Sequence, residues 1–523
     1  MGKGVAASSI GALLEGRGLN VRMVKCDPYI NVDAGTMSPI QHGEVYVTDD
    51  GAETDLDLGN YARFTNGPLS KANSMTTGQV YKSVIEKERA GSYFGRCVQV
   101  IPHITDEIKS RILAVAREDP DTDVVIIEIG GTVGDIESIP FLETARQLIH
   151  EFGRENVLSV HLTLIPEVGD GELKTKPTQH SVKAMQEMGI QPDLLVCRSP
   201  VMLDEETCLK IALFTNVDRD AVFVSYNVDT TIYEVPLIFY EQKLDQVLLK
   251  KMRVTSRHAN LTPWTSMMER LAARKGKVRI AIVGMYMDLN DSYKSVFEAL
   301  FHAGLECSVE VEPVKIDSLA LEEARNADAP ASELSSVDGV LIPGGFGQQG
   351  IEGMIKAAHW ARVNGIPYLG ICLGMHVMAI DWARSVLGWE DADSSEFNQE
   401  TKYPVISLPE NNGGTIRLGK NETIASEDSH IFNAYGEKQI WERQRRRYEL
   451  SDKYRPDMIN SGLKITACAA YNNLADCIEW PIVGQNSHPW GLGVQFHPEY
   501  KSKPTQAAPL FRDFIAAAKK VRG

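Results

Sequence analysis

The chain has 523 residues, of which 43% are hydrophobic and 24% charged, and its formal net charge is −16. A single hydrophobic core stops growing at roughly 250–300 residues, so this length predicts two large domains. The acidic balance argues against a general nucleic-acid or anionic-membrane surface. It still allows nucleotide pockets, which need only a few local cations and backbone N–H groups.

Cysteine spacing and hydropathy narrow the class of protein further. The eight cysteines are scattered without a CxxC pair, which argues against a zinc site and is typical of free thiols in a reducing cytosol. No apolar run approaches ~18–20 residues. The N-terminus shows no signal peptide, because Val5 to Leu14 predicts an amphipathic helix. We therefore expect a cytoplasmic protein without a membrane span.

Short apolar, β-branched runs alternate with helical stretches through the first half of the chain. This alternation predicts a doubly wound α/β domain over residues 1–254. Residues 255–276 are basic, polar and helical in pattern, which predicts a linker. The predicted buried parallel strands are Asn20–Lys25, Asp123–Ile129, Val157–Leu164, Asp193–Cys197 and Ala221–Ser225.

The same alternation starts again at Lys277–Gly284. Further strands are predicted at Gly339–Pro343, Ile366–Ile371 and Gly493–Phe496, with a helix over Asp291–Gly304. The fold class expected is therefore α/β, with a second doubly wound domain over residues 277–523.

Acidic residues follow a predicted strand of the first domain. The run DTDVVIIEIGGTVGDIE places Glu128 at the end of that strand, and its glycine-rich loop carries Asp135 and Glu137. An acid in that place is the usual Mg²⁺ ligand beside a nucleoside triphosphate, although helix capping would also explain it. Asp57 in ETDLDLG is a second carboxylate in a turn, and the loop GELKTKPTQ offers two lysines and a glutamine to a triphosphate.

The run IPYLGICLGMHVM places Cys372 on a turn between a strand and a helix that begins with the small Gly374. This pattern indicates a nucleophile elbow, where the helix N-terminus favours a thiolate. A buried core cysteine explains this segment equally well when it is taken alone.

Two other segments add the groups that a thiol nucleophile needs. VDGVLIPGGFG ends a strand in a glycine-rich turn, whose backbone N–H groups can face a developing oxyanion. GLGVQFHPEY ends another strand with His497, followed by Glu499. A base with a carboxylate to orient it completes a Cys-His-Glu triad.

Together these three segments resemble the class I glutamine amidotransferases. The resemblance implies that Cys372 attacks the glutamine amide, that His497 moves the proton, and that Glu499 orients His497. It implies glutamine binding by Gly345, Leu373, Gly374, Met375, His376, Glu396 and Arg447, where the N–H groups of Gly345 and Leu373 hold the oxyanion and Glu396 and Arg447 hold the amino-acid ends. A solvated basic strip is the alternative for Arg445–Arg447. His376 departs from the usual family glutamine, so the affinity for glutamine could differ.

The runs DPYINVDAGTMSPIQHGEVYVTDDGAETDLDLG, EIGGTVGDIESIPF and KTKPTQHSV resemble the CTP synthase family. The likeness extends over about residues 2–250 and 277–520. It implies that ATP phosphorylates O4 of UTP and that ammonia from glutamine then displaces phosphate to give CTP. It also implies Mg²⁺ as cofactor, GTP as allosteric activator, and a homotetramer, while filament formation is left open.

The resemblance assigns further residues to these ligands. It implies ATP binding by Gly2, Lys3, Gly4, Lys25 and Asp57, Mg²⁺ binding by Asp57 and Glu128, and binding of UTP or inhibitory CTP by Asp135, Ile136, Glu137, Lys174, Thr175, Lys176, Pro177, Thr178, Gln179 and Tyr226. Tyr226 replaces a family Lys or His, so inhibition by CTP could be altered. His42 falls at the family's ammonia passage, and a buried structural histidine is the alternative.

The start of the chain departs from the family pattern. Family members open with a strand and a loop like GGVVSGLGKG, whereas this sequence begins Met1-Gly2-Lys3-Gly4. We expect the first strand and most of the phosphate loop to be missing, through a shortened start or through loss of ligase activity. A missing central strand predicts poor folding or weak ATP use.

Two alternative functions remain at this point. One is another ammonia-using ligase, such as a cobyrinic acid amidase, against which KTKPTQ and SPIQHGEV argue. The other is a chain whose ligase half is inactive, which would leave a glutaminase or an assembly role.

Overall fold

The computed structural model describes residues 2–169, 171–285, 287–324, 329–345, 347–409, 416–482 and 487–522. The chain forms two compact units, one of residues 1–36 with 57–268 and the other of residues 37–56 with 269–523. A short stretch from the first half of the sequence is thus part of the second unit. The domain limits 1–254, 255–276 and 277–523 stay a prediction.

Helices and strands alternate along the first half of the chain. The helices are α1 (Lys3–Gly16), α2 (Pro39–His42), α3 (Asp57–Phe64), α4 (Thr77–Arg89), α5 (Thr105–Arg117), α6 (Ile139–Phe152), α7 (Lys176–Glu187), α8 (Glu205–Thr215), α9 (Val235–Glu241) and α10 (Leu244–Met252). The strands are β1 (Val21–Asp27), β2 (Tyr46–Val47), β3 (Glu53–Thr54), β4 (Ser74–Thr76), β5 (Val124–Ile129), β6 (Val160–Leu164), β7 (Glu167–Val168), β8 (Glu172–Leu173), β9 (Leu194–Ser199) and β10 (Val222–Tyr226).

The second half continues the alternation and then becomes richer in strands. Its helices are α11 (Thr262–Ala272), α12 (Lys294–Glu306), α13 (Ser318–Glu323), α14 (Ala329–Leu334), α15 (Ile351–Asn364), α16 (Leu373–Ser385), α17 (His430–Tyr435), α18 (Arg455–Asn460) and α19 (Pro509–Arg522). Its strands are β11 (Lys277–Gly284), β12 (Glu310–Asp317), β13 (Gly339–Ile342), β14 (Tyr368–Ile371), β15 (Ala392–Ser394), β16 (Tyr403–Ser407), β17 (Arg417–Ala425), β18 (Gln439–Arg446), β19 (Glu449–Leu450), β20 (Lys464–Ala469), β21 (Ala475–Glu479) and β22 (Gly491–Val494).

The first unit contains two parallel three-stranded sheets, in the orders β4-β1-β5 and β10-β9-β6. The central strand β1 is buried along its whole length, as the sequence predicts. The prediction of a buried strand is wrong for β6, where Val160 is 37% and Leu164 39% exposed. Its position at the edge of a sheet explains the difference, and β5, also an edge strand, is mostly half-buried.

Helix α1 is more deeply buried than the predicted amphipathic helix would be. Every residue from Ser8 to Leu14 is buried. The Ser8 hydroxyl donates to the Gly4 carbonyl at 2.6 Å, and the Ser9 hydroxyl donates to the Val5 carbonyl at 2.7 Å. These bonds to the preceding turn let two polar side chains lie inside the unit.

The second unit is built on a nine-stranded sheet in the order β12-β11-β13-β14-β22-β21-β20-β17-β18. The first five strands are parallel, and the remaining pairs are antiparallel. Side chains of α15 and α16 pack in the core on one face of the sheet, and those of α12 and α19 pack in the core on the other. The α/β class with two domains is confirmed, whereas the antiparallel extension was not predicted.

The register of this sheet places two sequence motifs side by side. Ile371 at the end of β14 pairs with Val494 at the end of β22. The residues that follow each strand therefore leave the sheet at the same edge, where ligand sites of open α/β sheets form. Among the described residues, no helix has the length and apolar character needed to cross a bilayer.

Candidate active sites

Cys372 occupies a tight turn between β14 and α16. Its backbone has φ 52° and ψ −99°, an unusual conformation for a residue with a side chain, and its N–H donates to the Val494 carbonyl at 2.7 Å. A Cβ added at Gly370 would lie 2.5 Å from the Gly374 carbonyl oxygen, and one added at Gly374 would lie 2.3 Å from that of Ile342. The turn therefore needs glycine at both places, as a nucleophile elbow does.

His497 and Glu499 lie beside this turn. The Nδ1 atom of His497 is 2.7 Å from Oε1 of Glu499, and both side chains are buried. A Cβ added at Gly344 would lie 2.6 Å from Cε1 of His497 and 3.5 Å from Cβ of Cys372. The three motifs that are distant in the sequence thus converge on one place.

The environment of His497 favours its charged form. Burial alone would lower the pKa of His497, but the Glu499 carboxylate and the interaction with Cys372 outweigh burial and raise it to about 10. An imidazolium beside a thiol stabilises the thiolate and holds a proton ready for a leaving amine.

Glu396 and Arg447, the predicted partners for the ends of glutamine, lie close enough for their charges to interact. Burial raises the pKa of Glu396, while a hydrogen bond from the Gly347 backbone and the charge of Arg447 act in the opposite direction. Gly345 lies against the start of α16, where an added Cβ would be 3.3 Å from Cδ2 of Leu373.

The ring of His376 is engaged by a neighbouring side chain. Its Nε2 atom is 3.1 Å from Oε1 of Gln495, and Nε2 of Gln495 donates to the Cys372 carbonyl at 3.2 Å. Burial lowers the pKa of His376 to about 4, so the ring is neutral at pH 7. His376 thus supports the turn through Gln495, and its contact with glutamine stays a prediction.

Lysines and carboxylates cluster in the first unit. Nζ of Lys25 contacts Asp57 directly and lies 3.3 Å from Oε1 of Glu128 and 3.6 Å from Oδ1 of Asp27. Asp27 was missed by the sequence reasoning. The available signal was its position at the end of a predicted strand, the same signal that singled out Glu128.

The beginning of α1 lies at this cluster. A Cβ added at Gly4 would lie 2.2 Å from Oδ1 of Asp57, and Nζ of Lys3 contacts the Gly131 carbonyl. Gly2 has φ 86°, which suits glycine. Burial lowers the pKa of Lys3, although the charge of Glu128 opposes this.

The predicted Mg²⁺ ligands Asp57 and Glu128 both face Nζ of Lys25, and their binding of the metal stays a prediction. Mg²⁺ commonly takes one or two carboxylates and completes its coordination with phosphate oxygens and water. Among the described residues, no group of three or more His, Cys, Asp and Glu side chains has a metal-binding arrangement.

The predicted pyrimidine-nucleotide segments occupy separate places. Asp135 caps its own loop by accepting from the Thr132 N–H at 2.8 Å, and Ile136 is 80% exposed. The second segment enters α7, where the buried Thr178 hydroxyl donates to the Leu164 carbonyl at 3.1 Å. Among their described side chains, no hydrogen bond or ion pair joins the two segments. Tyr226 ends β10.

His42 belongs to the second unit. Its Nε2 atom is 3.1 Å from Oδ2 of Asp55, and its side chain is 8% exposed. This pairing agrees with the structural alternative, so a place in an ammonia passage remains a proposal.

Tyr500 and Arg443 also contact the triad and were not singled out from the sequence. The ring of Tyr500 stacks on His497 with centroids 5.1 Å apart, and the Arg443 carbonyl accepts from the His497 N–H at 2.8 Å. An aromatic residue directly after the HPE motif was the available signal for Tyr500, whereas Arg443 had none.

Comparison with known proteins identifies the family. A family model described as CTP synthase N-terminus matches residues 1–254, and one described as glutamine amidotransferase class-I matches residues 288–517. The CTP synthase of Hydrogenobaculum sp. is 50% identical over 99% of this chain and 95% of its own length. That of Clostridium kluyveri is 51% identical over 99% and 96%.

A solved structure of the Trypanosoma brucei CTPS glutaminase domain with bound acivicin is 36% identical, with a TM-score of 0.43 over 46% of this chain and 94% of that one. The two family matches and the near-complete alignment with both relatives establish that this chain belongs to the CTP synthase family.

Proposed function

We propose that this chain divides the synthesis of CTP between two groups of side chains, a glutaminase centred on Cys372 and a ligase centred on Lys25, Asp57 and Glu128. The overall reaction turns UTP, ATP, glutamine and water into CTP, ADP, phosphate and glutamate. The convergence of Cys372, His497 and Glu499 at one edge of the sheet is the observation that carries the proposal.

In the glutaminase, the Cys372 thiolate attacks the amide carbon of glutamine. The N–H groups of Gly345 and Leu373 hold the oxyanion, and His497 gives its proton to the departing ammonia. Water then hydrolyses the glutamyl thioester, which releases glutamate. Glu396 binds the ammonium end of glutamine and Arg447 binds its carboxylate end, since the two side chains carry opposite charges and lie near each other.

In the ligase, the N-terminus of α1 and Lys3 bind ATP phosphates, because helix N-terminal N–H groups and a half-buried ammonium attract anions. Asp57 and Glu128 hold Mg²⁺, which neutralises phosphate charge when it is bound. The O4 atom of UTP takes the γ-phosphoryl group from ATP, ADP leaves, and ammonia displaces phosphate from C4. The segments 135–137 and 174–179, with Tyr226, bind UTP and inhibitory CTP.

Some finer features are proposed on family membership alone. They are activation of the glutaminase by GTP, assembly into a homotetramer, a cytoplasmic location, and passage of ammonia past His42. Both family matches and the ~50% identical relatives lend no support to the alternative of an inactive ligase half. The predicted effects on folding and ATP use stay predictions.

Replacing Cys372 tests whether glutamine hydrolysis and CTP formation are carried out by separate groups of side chains. We expect Cys372→Ala to abolish CTP formation from glutamine while leaving CTP formation from added ammonium salts intact. Cys468→Ala, which removes a half-buried thiol from β20 of the same sheet, is the control and keeps both activities. Glutamine-dependent synthesis by Cys372→Ala would show that another residue is the nucleophile.

A further inference from the structure

A hairpin from the first half of the chain lies in the second unit beside the triad. We call residues 45–54 the strap. Its two strands pair Tyr46 with Thr54 and Val47 with Glu53. The side chains of Tyr46 and Val47 are fully buried, at 0% exposure. The strap is therefore packed as part of the interior of this unit.

The strap holds Tyr500 at two points. The Tyr500 hydroxyl donates to the Val45 carbonyl at 3.0 Å, and the Tyr46 hydroxyl donates to the Tyr500 carbonyl at 3.0 Å. The two tyrosine rings meet edge to face with centroids 5.2 Å apart. Because the ring of Tyr500 stacks on that of His497 at an interplanar angle of 14°, fixing Tyr500 also fixes one face of the imidazole.

Arg443 connects the strap to the backbone of the triad. Its guanidinium donates to the Tyr46 hydroxyl at 2.6 Å, to the Val47 carbonyl at 3.0 Å and to Oδ1 of Asp49 at 2.6 Å. The carbonyl of the same residue accepts from the His497 N–H at 2.8 Å. One buried arginine thus holds the strap with its side chain and His497 with its backbone.

A second arginine of β18 repeats the arrangement at the nucleophile. Nε of Arg445 donates to Oε1 of Glu53 at 2.7 Å, and the Arg445 carbonyl accepts from the Cys372 thiol at 3.6 Å. Residues two apart on a strand project to the same face, which is why both arginines reach the strap.

We propose that the strap is a positioning element of the glutaminase. In it, Tyr46, acting with Arg443 and Tyr500, sets the orientation of the His497 ring relative to Cys372. This inference rests on the proposed function of the triad. The strap residues touch no reacting atom, so their effect appears in the rate of the chemical step rather than in glutamine binding.

The test is Tyr46→Phe, which keeps the ring and removes one hydroxyl. Arg443 and the Tyr500 carbonyl each lose a buried partner, so Tyr500 can shift and His497 with it. We expect kcat of the glutaminase to fall about tenfold, while KM for glutamine changes by less than about twofold. CTP formation from ammonium salts stays unchanged.

A chemical readout separates positioning from a general loss of stability. The pH profile of the rate at which iodoacetamide alkylates Cys372 depends on the placement of His497 beside the thiol. The pH profile of this rate shifts in Tyr46→Phe. It does not shift in the control Tyr454→Phe, which removes a buried hydroxyl that donates to the Lys402 carbonyl at 3.4 Å in the same unit.

Two further variants keep the proposal open to refutation. Arg443→Lys keeps the charge but cannot reach three acceptors, so it lowers kcat as Tyr46→Phe does. If Tyr46→Phe fails to fold, Tyr500→Phe removes only the bond to Val45 and carries the same expectation. A kcat and an alkylation profile equal to those of Tyr454→Phe would overturn the proposal. Glutamine use by Cys372→Ala would instead overturn the function on which it rests.

Discussion

At the scale of single residues, the charge of His497 depends on a balance between burial and one carboxylate. A buried imidazole is ordinarily neutral, because the charged form loses its hydration. His376, in the same unit, shows this effect with a pKa lowered to about 4. His497 shows the opposite shift, to about 10, and the difference comes from Glu499 and Cys372.

Removing the charge of Glu499 should reverse this balance. In Glu499→Gln the amide keeps a hydrogen bond but burial then lowers the pKa of His497, so the proton for the departing ammonia is lost at lower pH. We expect the alkaline limb of the glutaminase pH–rate profile to move down by roughly one pH unit or more. Glu427→Gln, at an exposed pair with Lys438, is the control.

The same shift makes a prediction about stability. A raised folded-state pKa contributes stability that is fully present below the ordinary value of 6.5 and is lost as pH rises through about 10. The melting temperature of the wild type should therefore exceed that of Glu499→Gln by more at pH ~6 than at pH ~10. A constant difference would show that the Glu499 charge is not coupled to His497.

At the scale of elements, the nucleophile elbow is tight because the backbone of α16 packs directly against the backbone of β13. Gly374 in the first turn of α16 faces the Ile342 carbonyl of β13, where a Cβ would come within 2.3 Å. Backbone atoms of a central strand cannot give way as a flexible side chain does.

Gly374→Ala should therefore displace the turn that carries Cys372. We expect a loss of about 1–3 kcal/mol in the free energy of unfolding, measured in urea, together with a fall of at least about tenfold in glutaminase kcat. Gly388→Ala is the matched control, because its added methyl meets no atom within 4 Å. Because the backbone at Gly388 has a positive φ of 72°, the alanine lowers the free energy of unfolding of this control by about 1 kcal/mol. If the two variants were equally stable and equally active, the inferred clash between a methyl group at residue 374 and the Ile342 carbonyl would be wrong.

Local patterns were sufficient for some elements and insufficient for others. Strands β1, β9 and β11 are rich in apolar residues and mostly buried, because each has a neighbour on both sides. The run Val157–Leu164 has the same composition, yet β6 lies at a sheet edge. An apolar run reports the preference of a segment for burial, and the order of strands decides whether that preference is met.

At the scale of the whole molecule, the meeting of the three candidate triad residues could be predicted and the strap could not. Cys372 and His497 each directly follow a predicted strand, and Glu499 comes two residues after His497. Parallel strands bring their carboxyl ends together. The hydrogen bond from Tyr46 to Tyr500 joins residues 454 positions apart. No periodicity or turn signal near residue 46 shows that the hairpin packs in the second unit, since such signals describe only neighbouring residues.

The two proposed half-reactions can be separated by a pair of variants. Asp57→Asn removes a carboxylate that contacts Lys25 and accepts from Asn60 at 3.2 Å. We expect CTP formation from either glutamine or ammonium salts to fall about 10–100-fold, while glutaminase activity remains. Asp220→Asn, at an exposed site in the same unit, serves as the control.

Mixing Asp57→Asn with Cys372→Ala then tests how ammonia reaches the ligase. In the mixture one chain releases ammonia and the other must capture it from solution, where an amine at pH ~7 is mostly protonated and unreactive. We expect CTP formation from glutamine by the mixture to stay far below that of the wild type at pH ~7 and to rise with pH. A mixture as active as the wild type at neutral pH would show that ammonia equilibrates with solvent, and would remove the reason for a passage past His42.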